Sequence, residues 1–180
     1  MAHFDPLRTL AIVRILRPML RAASLPIFTL MLCSCSYGYD VSVSVSDGRL
    51  VFDANPQWFA DCVRQVEVMA DDDAVRATPA PGDDKDSVRT GTFWEQSISY
   101  DDRCKNHFPI AYGETLKGRA HVYDSGAPAE MVGQRAPLVA AKQLRIEVLY
   151  TVATTTGATG YGCGRFIIHR DRTVENIGCS

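Results

Sequence analysis

Val41-Ser42-Val43-Ser44-Val45-Ser46-Asp47-Gly48-Arg49-Leu50-Val51-Phe52 is the stretch from which the fold can be read. Apolar and polar side chains alternate before Asp47-Gly48, which in a strand puts the valines on one face and the serines on the other. Asp-Gly is the pair favoured by a two-residue type I′ turn, because both central positions need φ > 0. Such a turn sets Val45 opposite Leu50 and Val43 opposite Phe52, so both apolar sets share one face. Turn chemistry and hydrophobic pattern agree on a β-hairpin between Tyr39 and Ala54.

The chain downstream continues in the same style. Pro56 and Trp58 fall in a short connection, and Cys62 to Met69 reads as a strand with Cys62, Val66 and Val68 on one side. Thr92 to Tyr100 reads as another, with Trp94, Ile98 and Tyr100 on one face. Phe108-Pro109-Ile110-Ala111-Tyr112 suits a short edge strand, since Pro109 has no N–H for a central ladder. Lys117 to Tyr123 suggests a further short strand, followed by a Gly/Pro-containing loop to Pro137. Leu144, Ile146, Val148, Tyr150 and Val152 alternate with polar residues and predict the longest strand. Tyr161 to His169 and Thr173 to Cys179 predict a last hairpin about Arg170-Asp171-Arg172.

No stretch after Cys35 carries the spacing and caps of an amphipathic helix. Seven to nine short strands in a chain of this size predict an all-β, antiparallel β-sandwich of immunoglobulin-like type, with a small β-barrel as the alternative. Cys62, Trp94 and Cys104 echo the Cys-Trp-Cys pattern of antibody domains, but Cys104 follows too soon for that spacing. Asp71 to Gly91 breaks the pattern, with six aspartates, two prolines and no aromatic residue, and reads as an exposed acidic loop open to protease.

Upstream, Arg8, Arg14, Arg17 and Arg21 precede an apolar run from Ala22 to Leu32, followed by Leu32-Cys33-Ser34-Cys35. A basic segment, a short apolar core and small residues at the cut make a secretory signal. The core is too short to span a bilayer, which takes about 20 apolar residues. Leu32-Cys33-Ser34-Cys35 resembles the lipobox of bacterial lipoproteins, although Cys33 stands where Ala, Ser or Val is usual. The resemblance implies that residues 1–34 are a signal peptide and that Cys35 is lipidated, leaving 146 residues as one domain. Met19-Leu20-Arg21 could itself begin the signal. Ser36 after the cysteine resembles an outer-membrane sorting signal, which implies an outer-membrane protein facing the periplasm.

Four cysteines follow the anchor: Cys62, Cys104, Cys163 and Cys179. An even number in an exported chain predicts two disulfides. If the last hairpin turns about Asp171, residues whose numbers sum to 342 oppose each other, and Cys163 and Cys179 satisfy that sum. Opposed Cα atoms there lie within disulfide reach, which leaves Cys62 and Cys104 to pair.

Sites are scarce in the sequence. The formal charge of −2 and the lack of a basic stripe exclude nucleic acid. His107, His121 and His169 are isolated, and no zinc motif, phosphate loop or Gly-x-Ser-x-Gly elbow occurs, so no cofactor, metal or catalytic residue is assigned. Asp83-Asp84-Lys85-Asp86 lacks the glycine and distal glutamate of a calcium loop and reads as solvated. Thr154 to Gly164 is the unusual stretch: Gly160, Gly162 and Gly164 recur with period two and strip one face of a strand. Internal packing of a ring or backbone there is the first reading, and a possible ligand groove the second. The stretch resembles, over a few residues, a loop of periplasmic lysozyme-inhibitor lipoproteins, whose Ser-Gly it lacks. Two functions follow: a non-catalytic envelope module that binds a protein or glycan partner, or an envelope hydrolase whose site only the fold assembles.

Overall fold

A computed structural model describes residues 36–55, 62–122 and 138–179. The signal segment with Cys35, the connection holding Pro56 and Trp58, and the loop from Tyr123 to Pro137 lie outside the described residues. The chain from Ser36 onward forms a compact unit of its own. Its strands are β1 (Tyr37–Ser46), β2 (Arg49–Asn55), β3 (Val63–Ala70), β4 (Thr92–Ser97), β5 (Ile110–Ala111), β6 (Leu149–Thr156), β7 (Gly160–Ile168) and β8 (Val174–Ile177), with one helical turn, α1 (Lys85–Arg89).

Local turn chemistry sets the two end hairpins. Asp47 and Gly48 have φ of 51° and 74°, as a type I′ turn requires, and Val45 pairs with Leu50 and Val43 with Phe52. In the last hairpin Ile168 pairs with Val174 and Arg165 with Ile177, the register of a turn about Asp171. That register carries Cys163 and Cys179 to a Cα separation of 6.0 Å, where they are joined, and Cys62 is joined to Cys104 at 5.7 Å.

Longer-range pairing departs from the sandwich. The chain is all-β, but its strands form one eight-stranded mixed sheet in the order β4-β3-β6-β7-β1-β2-β5, with β8 also on β7. β1 runs parallel to β7, so the hydrogen bonding draws no pair of antiparallel immunoglobulin sheets. The sheet curls into a half-barrel. Phe52 of β2 stacks on Trp94 of β4 with ring centroids 6.1 Å apart, although those strands lie near opposite ends of the sheet. Phe166 and Tyr150 extend the cluster, and each such ring pair adds about 0.5–1.5 kcal/mol beyond its buried area. Tyr112, just past β5, bridges the two edges: its hydroxyl donates to the Lys142 carbonyl at 2.8 Å and lies 3.2 Å from that of Phe93. Where β7 leaves β1 for β8, Asn176 fills the gap. Its Oδ1 accepts from Val43 N–H at 2.7 Å, and its Nδ2 donates to the Val43 carbonyl at 2.8 Å.

Four expectations are corrected. The long strand predicted from Leu144 begins only at Leu149, because Glu147 takes φ of 57° in a turn that leaves Ile146 exposed; it then continues through Thr156. Lys117 to Tyr123, described as far as Val122, supplies isolated bridge residues at Ala120, paired with Ile98, and at Val122, rather than a strand. Tyr100 does not join Trp94 and Ile98 in the core; it lies past the end of β4, half exposed, beneath the Arg64 guanidinium. The acidic segment from Asp71 to Gly91 is not merely a solvated loop. Asp84 caps α1 by accepting from Ser87 N–H at 2.8 Å, and Val88 is 0% exposed. Asp83, its side chain 2% exposed, pairs with Lys142 and accepts from the N–H groups of Ala80 and Ala140. The segment closes as these carboxylates take up the backbone donors of Ala80, Ala140 and Ser87.

Candidate functional site

The glycine strip is filled from within. Tyr37, Tyr39 and Val41 lie on the core face of β1, beside Gly160 and Gly162 in the parallel pair with β7. A side chain at Gly162 would overlap the Tyr39 ring and Thr154, one at Gly160 would overlap Tyr37 and Thr156, and one at Gly164 would overlap the Val41 carbonyl. The rings pass over the glycines and bond threonines on β6: the Tyr39 and Thr154 hydroxyls lie 2.7 Å apart, those of Tyr37 and Thr156 3.4 Å. The possible ligand groove at Gly160, Gly162 and Gly164 is therefore closed by the protein's own tyrosines. Burial raises the Tyr39 phenol above its usual range, and the Thr154 hydrogen bond offsets only part of that.

The opposite, outer face of the same strands is open. Asp40 pairs in register with Asn55 on β2 and with Cys163 on β7, while Gly38 pairs with Tyr161. These residues and the Cys163–Cys179 disulfide line a cleft of about 330 Å³. Tyr161 is 56% exposed, and Asp40 and Asn55 are exposed as well. Among the described residues, none of these three side chains has a hydrogen-bonding or ionic partner. A side chain at Gly38 would meet nothing nearer than the Tyr161 carbonyl at 3.9 Å, so this glycine leaves room in the cleft. The sequence reading missed Asp40, Asn55 and Tyr161. Only Tyr161 had a local signal, as the ring between two glycines that must point away from the packed face.

Other polar groups are committed elsewhere. Glu67 and Glu95 face each other across β3 and β4, and Thr92 Oγ1 donates to Glu67 at 3.0 Å. Glu95 is 6% exposed; burial first, then the nearby Glu67 charge, push its carboxyl up to about 7, with a Ser87 hydrogen bond opposing them and Asp84 adding to the rise. α1 packs against β4, and among the described residues neither glutamate lines the cleft beside Tyr161 or the depression beside Ser99. His169 sits between Glu175 at 3.1 Å and Glu147 at 3.5 Å; the Glu175 hydrogen bond is the main cause of its raised pKa. Asp83, Asp84 and Asp86 turn respectively to Lys142, the α1 cap and Arg89, and no group of three metal ligands occurs among the described residues. A larger depression of about 540 Å³ lies by Ser99, Asp101, Arg119 and Val122, where the Ser99 and Asp102 carbonyls accept from the Arg64 guanidinium and their side chains accept from the backbone N–H groups of Asp101 and Arg119. The chain matches no family model, no curated protein and no solved structure.

Proposed function

We propose that the mature chain is a lipid-anchored envelope module, held at the outer membrane through Cys35 and binding a ligand in the cleft of β1, β2 and β7. The carrying observation is that only Ser36 separates Cys35 from β1, the strand whose Gly38 and Asp40 build the cleft. Two disulfides suit an oxidising compartment outside the cytoplasm. Binding rather than hydrolysis is favoured by the lining, in which a lone carboxylate faces an amide and a phenol with no base positioned beside a nucleophile.

Expression in a diderm bacterium followed by intact-mass measurement tests the anchor. Cys35 should carry acyl chains, and Cys35→Ala should leave an uncleaved precursor or a soluble product. Unmodified Cys35 in the membrane fraction would overturn the reading.

A further inference from the structure

The chemistry of the cleft narrows its ligand, and the inference rests on the cleft being the binding site. Asp40 and Asn55 stand directly opposite each other across β1 and β2, which places a carboxylate and an amide about 4.5–5.5 Å apart at their Cβ atoms. Among the described residues no Lys, Arg or His lines the cleft, so a phosphate or carboxylate ligand would meet the Asp40 charge there. The polar lining is equally wrong for an acyl chain, which would strand three unpaired groups.

A carboxylate offers two acceptor oxygens, and an amide offers an acceptor and two donors. Vicinal sugar hydroxyls, which both donate and accept, match that set. An ammonium group, primary or quaternary, has no acceptor and leaves the Asn55 NH₂ without a partner. The exposed Tyr161 ring, with bare Gly38 beside it, supplies a flat apolar surface for the C–H face of a sugar. The volume of about 330 Å³ falls at the small end of ligand sites and accommodates a pyranose ring. We propose that this cleft binds a neutral glycan, with one sugar ring stacked on Tyr161 and its hydroxyls held by Asp40 and Asn55.

Calorimetric titration of the purified full chain in detergent tests this, using linear oligomers of glucose, galactose and N-acetylglucosamine, with choline and inorganic phosphate as counter-probes. At least one oligosaccharide should bind saturably. Tyr161→Ala and Gly38→Leu, the second filling the cleft, should each weaken it tenfold or more, and Asp40→Asn about tenfold. Unchanged circular dichroism would show that the variants fold. Failure of every oligosaccharide to saturate, or binding indifferent to these variants, overturns the glycan assignment. Choline binding lost in Asp40→Asn also overturns it, in favour of a cation, while leaving the cleft as the binding site. The anchor is read separately from the mass of Cys35, so the two failures are distinguishable.

Discussion

The hydroxyls of Tyr39 and Thr154 meet at 2.7 Å although a whole strand, β7, lies between β1 and β6. The contact exists because Gly162, the residue between them in register, has no side chain. Neighbouring strands are about 4.8 Å apart, so a phenol reaches the second strand only over a glycine. This row, repeated at Tyr37, Gly160 and Thr156, ties the parallel pair to the rest of the sheet.

Substitution along the strip should be graded by what each new methyl group strikes. Gly164→Ala meets the Val41 carbonyl, a backbone atom, whereas Gly160→Ala meets the half-buried Tyr37 ring and the Thr156 hydroxyl. Overpacking of this kind costs about 1–3 kcal/mol, and more where the obstacle cannot move. Urea unfolding should rank Gly164→Ala as the more destabilised. Equal midpoints for the two variants would refute the packing account.

Glu95 gives the domain a definite pH dependence. Its folded carboxyl holds its proton to about 7, against 4.5 for the free side chain. A raised pKa means that the folded state binds the extra proton, so the stability this group provides is full below pH 4.5. It falls as the pH rises from there to about 7 and is flat beyond. A shift of this size corresponds to a loss on the order of 3 kcal/mol. Glu95→Gln should remove that loss and be more stable than the parent at pH 8. Parallel stability curves for parent and variant between pH 5 and 8 would show that Glu95 does not titrate in this way.

Asp83 should be the latch of the acidic segment. Burial alone raises its carboxyl, but hydrogen bonds from Lys142, Ala80 and Ala140 and the Lys142 charge outweigh that and leave it below its usual value. Removing the carboxylate strands the Lys142 ammonium, whose side chain is only 12% exposed, and breaking such a pair costs about 3–5 kcal/mol. In Asp83→Ala, limited proteolysis should open between residues 71 and 91 earlier than in the parent. A cleavage map identical to that of the parent would count against the latch.

Tyr112→Phe should test how firmly the curled sheet is bridged. The variant keeps the ring against Trp94, at 5.3 Å between centroids, and loses only the hydroxyl that bonds Lys142. Leaving that carbonyl short of a partner costs about 1–3 kcal/mol. The urea midpoint should fall with the slope unchanged; an unaltered midpoint would mean the bridge contributes nothing.

What the sequence determined by itself is local: the two end hairpins, their registers and the disulfide that follows from the second. In each, a few residues of turn chemistry act on flanking strands, and the burial of alternate residues, Val41 and Val43 or Phe166 and Ile168, penalises a one-residue slip. The all-β character was legible for the same reason. Only the tertiary structure decided the parallel β1–β7 pair, the curl that stacks Phe52 on Trp94, and the start of β6 at Leu149. It likewise decided the Asp83–Lys142 latch and the cleft of Gly38, Asp40, Asn55 and Tyr161. Gly38 and Tyr161 are far apart along the chain, and no turn residue between them records that they will pair. Such contacts form because burying the shared apolar face outweighs the entropy of closing long loops. That balance belongs to the whole sheet rather than to any one stretch of it.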